Sequence, residues 1–212
     1  MRAGTYHIIM PPAYLPPVAY YAAKAAARSS TVDYAMPFNK RAKQVHRCTI
    51  TDANGIIDLT IPIAKPQSLS RTLWSEKHIS GHNHWWNIHL TALKSAYGRT
   101  PFFEYYLADF APFYSPDVEG MMLVDYLRRL DDMLTRLLGV EIIRRRRIAD
   151  APARPDATFP EIDLRRAPLP HHEPIPYYQQ RTAGIGFVDG LSAVDLLFNM
   201  GPESMLVLDR MR

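Results

Sequence analysis

The strongest constraint on this fold is an aromatic stretch between residues 84 and 114. It contains ten Phe, Tyr or Trp rings, including two of the three tryptophans in the chain. On a helical wheel, the first half of the stretch places its apolar residues on one broad face and Asn87, Thr91, Lys94 and Ser95 on the other. This pattern predicts an amphipathic helix with a wide buried side.

A second helix is predicted directly after the first. Gly98 would end the first helix in the left-handed conformation, and Thr100-Pro101 would begin the next as N-cap and first helical residue. That helix would extend to about Phe113 and, being apolar nearly all round, would be covered by the rest of the fold. Its positive dipole end would suit an anion. The polar residues around this junction are Lys94, Ser95, Arg99, Glu104, Tyr105 and Tyr106.

The chain before the aromatic stretch predicts a βαβ-like unit followed by a hairpin. Residues 6–10 and 31–34 are predicted strands, and residues 18–28 are a predicted alanine-rich helix after a proline-rich turn. Ligands of such units usually lie beyond the carboxyl ends of the strands, which places Tyr14, Pro16 and Tyr20 beside a candidate cleft. Residues 44–51 and 55–63 flank an Asp-Ala-Asn-Gly turn, which predicts a β-hairpin.

The second half of the chain predicts two more helices and a long irregular segment. Ser115-Pro116-Asp117 would cap a helix that ends before Gly139, and residues 140–143 are interpreted as a strand leading into the arginines 144–147. Seven prolines in 152–176 argue against regular structure, although residues 163–165 could be pinned to the body. Ser192-Ala193-Val194-Asp195 resembles a capping box that opens a helix to Met200.

Together these elements predict one mixed α/β (α+β) domain spanning residues 1–212. A small sheet, built from the βαβ-like unit and the hairpin, would be covered by the helices of residues 84–138. A proline-rich arm at 151–178 would wrap around this body.

The bulk properties restrict the compartment and the partners. No apolar run approaches the roughly 18 residues that a transmembrane helix needs, and no signal segment is evident, so we expect a cytoplasmic protein. A single cysteine, Cys48, excludes an intramolecular disulfide. The net charge of +4 indicates a mild preference for anions, and the four-arginine run is interpreted as a solvated strand end rather than a nucleic-acid site.

Four histidines raise the question of a metal site. They are His78, His82, His84 and His89. Their spacing places His84 and His89 about 140° apart on a helix, and no HExxH or cysteine pair accompanies them. We therefore assign no metal ligands, and the sequence leaves metal binding by this group open.

Several stretches together resemble the WbqC-like family of bacterial proteins. They are AYLPPVAYYA at 13–22, HRCTI at 46–50, HWWNIHLTALKSAYGRTPFFEYY at 84–106 and LSAVDLLFNMGPESMLVL at 191–208. The resemblance implies an association with O-antigen or surface-polysaccharide gene clusters, and with transfer of glycine or another acyl group to a sugar. The resemblance by itself does not identify any catalytic residue. Many members have Arg-Asn-Arg-Cys where this chain has Val45-His46-Arg47-Cys48.

The first functional hypothesis is a transferase that acts on a nucleotide-linked or lipid-linked sugar, with an acyl carrier as a further partner and no identified cofactor. Amine acylation needs a base and groups that bind the anionic carrier. The candidate base is His84 or Glu104. The candidate substrate-binding residues are Tyr14, Lys40, Lys43, Arg47, Lys94, Arg99 and Tyr105.

The alternative hypothesis is a non-catalytic protein of the same pathway that binds a glycan or a partner enzyme. The sequence contains no G-x-S-x-G, no Walker loop and no G-x-G-x-x-G after a strand. Geometry separates the two hypotheses: an enzyme should have a deep pocket with a titratable pair, and a binding module a shallow aromatic groove.

Overall fold

A central parallel sheet organises the N-terminal half of the fold. The computed structural model describes residues 4–52, 55–64, 72–149, 159–169, 174–180 and 186–211. In the sheet, β1 (His7–Met10) lies between β2 (Ser29–Val32) and β5 (Glu161–Asp163) and is parallel to both. The helix α1 (Val18–Ala26) connects β1 to β2. The predicted βαβ-like unit is therefore confirmed.

Strand β5 comes from the segment in which no regular structure was expected. The prolines of this segment flank the strand. The Pro160 carbonyl accepts a hydrogen bond from His7 N–H, and Leu164 N–H donates to Ile9 O at 2.8 Å. Three residues between such bonds can extend the ladder without meeting a proline. The expectation that residues 163–165 are pinned to the body is confirmed, and the expectation of no regular structure is wrong.

The predicted hairpin is also confirmed. Strands β3 (Arg47–Asp52) and β4 (Gly55–Thr60) pair antiparallel, with Thr49 opposite Asp58 and Cys48 opposite Leu59. The turn residues 53 and 54 lie outside the described residues. With the parallel sheet and the surrounding helices, the hairpin makes a mixed α/β fold, as the sequence predicted.

Six further helices complete the described part of the chain. They are α2 (Trp85–Tyr97), α3 (Phe103–Phe110), α4 (Leu123–Leu137), α5 (Val140–Ala149), α6 (Ala193–Met200) and α7 (Ser204–Arg210). None of the helices described is long and apolar enough to cross a membrane.

The junction between α2 and α3 differs from the prediction. Gly98 has φ −59°, so the helix does not end in a left-handed residue. The Thr100 hydroxyl donates to the carbonyl of Tyr97 at 2.7 Å instead of capping a new helix, and α3 begins only at Phe103. The Thr100 hydroxyl serves the end of the first helix because that carbonyl lacks a helical partner.

Helix α3 is also less covered than its composition suggests. It buries Phe103 and Phe110 against Phe198 of α6, while Tyr105 is 84% exposed. It ends at Phe110, and a 3-10 turn occupies Ala111–Phe113. A tyrosine can stay at the surface because its hydroxyl reaches water.

Two predictions around α4 and α5 are wrong. A 3-10 turn at Pro116–Val118 follows Ser115, and α4 begins later, at Leu123, so Ser115 does not cap it. Residues 140–143 are the first turn of α5 rather than a strand. Gly139, with φ +66°, separates α4 from α5, as expected for a left-handed residue after a helix.

The helical geometry of α5 divides the arginine run between two environments. Arg144 donates to Lys24 O and Ser30 Oγ, and Arg147 donates to Asp209 Oδ1 and Asp209 O, at the end of α7. Arg145 and Arg146 are exposed. Residues three apart share one helix face, so the run is partly structural and is not a solvated strand end.

Ser192 begins α6 as predicted, but the capping box is not completed. The Ser192 hydroxyl accepts from Val194 N–H. The Asp195 carboxylate accepts instead from the Tyr177 hydroxyl at 2.8 Å and from Gln179 Nε2 at 3.0 Å. These bonds fasten residues 174–180 to α6, and burial raises the pKa of Asp195.

Helix α1 is the most enclosed helix among those described, with eight of its nine residues buried. Its alanines allow α5, α6 and α7 to pack closely against it. Lys24 is buried with them, and its ammonium donates to Asp131 Oδ2 of α4 at 2.6 Å and to Thr135 Oγ1 at 2.9 Å. A buried ammonium needs such partners because desolvation of an unpaired charge is costly.

A second buried network lies under the loop that precedes α1. The Tyr14 hydroxyl lies 2.9 Å from His89 Nδ1 and 3.0 Å from the Tyr114 hydroxyl. His89 also forms a hydrogen bond with the backbone of Thr60, and this bond raises the pKa of the ring. A bond that favours the protonated ring is one in which the ring donates, so the acceptor is the Thr60 carbonyl. The neutral ring then keeps Nδ1 as an acceptor for the Tyr14 hydroxyl. Burial lowers the pKa of His89 to about 4.

The Lys24–Asp131 pair generates a stability prediction. Asp131→Asn leaves the buried ammonium without a counter-charge and should reduce the free energy of unfolding by about 3–5 kcal/mol, measured by urea denaturation. Lys24→Met combined with Asp131→Leu should recover most of that loss, because an apolar pair needs no neutralisation. The control is Asp125→Asn, on the exposed side of α4, which should cost less than about 1 kcal/mol. A double variant as unstable as Asp131→Asn would contradict this account.

The low pKa of His89 generates a pH prediction. In the unfolded chain the His89 ring binds a proton near pH 6.5, and in the folded chain it does so only near pH 4. The neutral His89 ring therefore makes its full contribution to the free energy of unfolding above pH 6.5, and this contribution falls by about 3 kcal/mol as the pH drops to 4. His89→Gln, which does not titrate, should flatten the dependence of the free energy of unfolding on pH in this window. His82→Gln, at an exposed histidine, is the control. Equal slopes for wild type and His89→Gln would contradict the assignment.

Candidate functional site

The main cleft forms where three distant segments of the chain meet. Tyr14 N–H donates to Gln44 O, Ala193 N–H donates to Pro16 O at 2.8 Å, and Ser192 N–H donates to Thr49 O at 2.8 Å. These backbone bonds join the loop before α1, the start of β3 and the start of α6. The cleft has a volume of about 350 Å³. Its described lining is Leu15, Pro16, Pro17, Lys43, Gln44, Arg47, Cys48, Thr49, Asp58, Gly190 and Ser192.

The loop that forms one wall of the cleft is held in an unusual conformation. Leu15 has φ +40°, a region that residues other than Gly, Asn and Asp rarely adopt. It lies between the buried Tyr14 network and two prolines whose φ is restricted. Strain of this kind persists only where the surroundings over-determine the backbone, and it clusters at functional sites.

The opposite wall carries a fixed guanidinium. Arg47 Nη1 donates to Asp58 Oδ2 at 3.1 Å, and Arg47 Nε donates to Thr60 Oγ1 at 2.9 Å. The Thr49 hydroxyl donates to the other oxygen of Asp58 at 2.8 Å. The hairpin register places these residues opposite one another, so the guanidinium is oriented before any ligand arrives.

Lys43 supplies a second positive charge at the cleft. It is exposed, and no carboxylate in the described part of the chain pairs with its ammonium. Lys43 and Arg47 against Asp58 leave the lining with a net charge of +1. The first turn of α6 lies at the same cleft through Ser192, and its dipole adds positive potential there. The cleft therefore favours an anionic group.

The described lining is poor in groups for nucleophilic or base catalysis. Burial raises the pKa of the Cys48 thiol, so the sulfur is protonated and a weak nucleophile. Asp58, the lining carboxylate, is occupied by Arg47 and Thr49. Binding and orientation of an anion are the chemistry that this arrangement supports directly.

The structure separates the proposed site residues into three places. Lys43 and Arg47 line the cleft, and Lys40 is exposed on the turn that precedes Lys43. Tyr14 lies beneath the cleft, fully buried in its bond with His89. Pro16 lines the cleft, whereas Tyr20 is buried and donates to Pro11 O.

The remaining candidates lie on the surface around α2 and α3. Lys94, Arg99, Glu104 and Tyr105 are exposed and are not in the described lining of the cleft. Within the residues described, no ion pair joins Arg99 to Glu104. These four residues form a second exposed surface, here called the helix-junction surface.

His84 occupies the N-cap position of α2, but its ring does not cap the helix. Its φ is +46° and that of the preceding Asn83 is +58°, so two left-handed residues in succession set the entry into α2. The ring is exposed and lies 5.5 Å from the Trp86 ring. Among the described residues, no cluster of three or more His, Cys, Asp or Glu side chains could hold a metal ion.

Sequence reasoning assigned eight of the described lining residues to no site: Leu15, Pro17, Gln44, Cys48, Thr49, Asp58, Gly190 and Ser192. The sequence could have indicated Asp58, because the predicted hairpin places it opposite Thr49. Ser192 was identified only as a helix cap. Its approach to the cleft depends on a long-range contact with Thr49 that no local pattern encodes.

The sequence model of one protein family matches this chain. It is that of the WbqC-like protein family, and it covers residues 11–155, about two-thirds of the chain. The matched region includes the cleft residues from Leu15 to Asp58, whereas Gly190 and Ser192 lie beyond it. No curated protein and no solved structure gives a significant match. The chain belongs to the WbqC-like protein family.

Proposed function

We propose that this protein is a transferase that moves a glycyl or other acyl group to a sugar in bacterial O-antigen or surface-polysaccharide synthesis. Membership of the WbqC-like family fits a polysaccharide-associated role. The observation that carries the proposal is the cleft between Leu15, Lys43 and Ser192, which combines a volume of about 350 Å³ with a net positive lining. In this proposal the cleft binds the phosphate of a nucleotide-linked or lipid-linked sugar.

Three features of the cleft support a phosphate rather than a neutral sugar as the bound group. Arg47 is oriented by Asp58 and Thr60, and a planar guanidinium matches phosphate geometry. Lys43 adds an exposed ammonium at the same cleft. The described cleft lining contains no aromatic ring, unlike the shallow aromatic groove expected of a glycan-binding module.

The transfer step needs groups outside the cleft. A sugar amine or hydroxyl would attack the acyl carbonyl, lose its proton to a base and release the acyl carrier. His84 and Glu104 are the proposed bases, and Lys94, Arg99 and Tyr105 of the helix-junction surface would contact the carrier. Lys40 would extend the positive wall beyond Lys43, and Tyr14 would support the cleft loop from below.

A second function, binding without catalysis, is favoured by one observation. The described cleft lining offers no free base and no activated nucleophile, because Asp58 is paired and the Cys48 thiol is protonated. In that case the protein would hold a phosphate-bearing glycan intermediate for a partner enzyme. The two functions share the ligand and differ in whether any bond is broken.

The cleft proposal predicts opposite effects from two neighbouring substitutions. Nucleotide sugars at 100 times their Kd should stabilise the protein by about 2.7 kcal/mol, or roughly 5–10 °C in a thermal-shift assay. Lys43→Ala should weaken binding about tenfold through the loss of one charged contact. Asp58→Asn should strengthen it, because the variant removes the negative charge of the lining while its amide oxygen still accepts from Arg47. Arg145→Ala, an exposed arginine on α5, is the control.

Equal thermal shifts in Lys43→Ala and wild type would show that the cleft is not the phosphate site.

To separate the two functions, transfer from acyl-CoA or a glycyl donor to the bound sugar is followed by mass spectrometry. Transfer that is lost in His84→Ala or Glu104→Ala, at unchanged sugar binding, would support the transferase. Sugar binding without transfer from any donor would support the binding protein.

A further inference from the structure

A second cavity lies at the carboxyl edge of the parallel sheet, away from the residues that line the cleft. It has a volume of about 250 Å³ and is lined by Met36, Pro37, Asp163, Arg165 and Arg166. Asp163 ends β5, and Met36 and Pro37 follow β2, so the cavity spans the two outer strands of the sheet. None of these residues belongs to the cleft or to the helix-junction surface.

The sheet topology makes this edge a suitable place for a ligand. Strand β1 is central, and the chain leaves it through α1 towards β2 on one side, while β5 lies on the other. A crevice opens beyond the carboxyl ends of parallel strands where the strand order reverses, and ligands of open α/β sheets bind there. The bonds Asp33 N–H to Met10 O and Leu164 N–H to Ile9 O place both flanking segments at this edge.

One arginine of the cavity is held rigidly. Arg165 donates through Nε and Nη2 to the two oxygens of Asp163, at 2.9 and 2.7 Å, and through Nη1 to Asp33 Oδ2 at 2.7 Å. Its hydrogen bonds lower the pKa of Asp163 to about 2, so the carboxylate stays charged. Arg165 thus ties the ends of β2 and β5 together, and its charge is compensated by these carboxylates.

The neighbouring arginine is not compensated in this way. Arg166 is exposed, it lines the same cavity, and no ion pair holds its guanidinium in the part of the chain that the structure describes. Arg165 keeps one N–H on each terminal nitrogen beyond those given to Asp33 and Asp163. The cavity therefore presents a fixed and a free guanidinium beside an apolar wall of Met36 and Pro37.

We propose that this sheet-edge cavity binds a small molecule through an oxyanion group, a carboxylate or a phosphate, held mainly by Arg166 and oriented by Arg165. Two guanidinium groups match the paired oxygens of such a group. The volume lies just below the range of pockets for drug-sized ligands, so the ligand is small. Met36 and Pro37 would contact its apolar part. This site does not depend on the transferase proposal, because it shares no residue with the cleft.

The test is a titration of the isotope-labelled full-length protein, at constant ionic strength, with acetate in one series and inorganic phosphate in another. Backbone amide resonances of residues 163–166 and Met36 should shift in a saturable manner with at least one of the two probes. The probe that binds more tightly identifies the source of the oxyanion. Shifts that fail to saturate with both probes would overturn the proposal.

Variants assign the effect to the sheet-edge cavity. Arg166→Gln, at an exposed side chain that is not part of the Asp33–Arg165–Asp163 ion pairs, should weaken binding about tenfold through loss of a charged hydrogen-bonding partner. Arg145→Gln and Lys43→Ala should leave the shifts at residues 163–166 unchanged. Unaltered affinity in Arg166→Gln would overturn the assignment. Because Lys43→Ala tests the cleft separately, failure at either site is distinguishable from failure at the other.

Discussion

The enclosure of helix α1 is the constraint on which the rest of the fold depends. Helix α1 is enclosed on nearly every side, since its alanines admit α5, α6 and α7 to close range. A lysine within such a helix is tolerated only if a neighbour neutralises it. The pair links α1 to α4, and Arg144 of α5 donates to the carbonyl of the same lysine.

The position of α1 in turn determines the cleft. The loop that enters α1 carries Leu15 in a strained conformation between the buried Tyr14 and Pro16. The bonds Ala193 N–H to Pro16 O and Ser192 N–H to Thr49 O attach the start of α6 to this loop and to the hairpin. A rigid enclosed helix on one side and a registered hairpin on the other hold Arg47 and Lys43 across from the start of α6. This preorganisation lets an exposed cleft favour an anion.

The arginine run shows why local patterns misassigned some segments. Apolar residues 140–143 before four arginines suit either a short strand or the first turn of a helix, and periodicity cannot separate the two over so few residues. Burial decided the outcome, because Val140, Ile143 and Arg147 fall on one helical face against α1 and α7. Likewise, Asp195 was expected to complete a cap at Ser192, but the distant Tyr177 and Gln179 bind its carboxylate.

The sequence by itself determined the elements whose signals are local. These are the βαβ-like unit, the hairpin, the amphipathic helix of residues 85–97, the N-cap at Ser192, and the positive residues Lys43 and Arg47. The tertiary structure alone decided which of them meet. It brought Ser192 to Lys43, buried Tyr14, left Tyr105 at the surface, and added β5 from a proline-rich segment to the edge of β1. The physical reason is that periodicity and capping act over a few residues. Contacts such as that between Tyr14 and His89, which are 75 positions apart, close long loops and are stabilised only when the whole core packs.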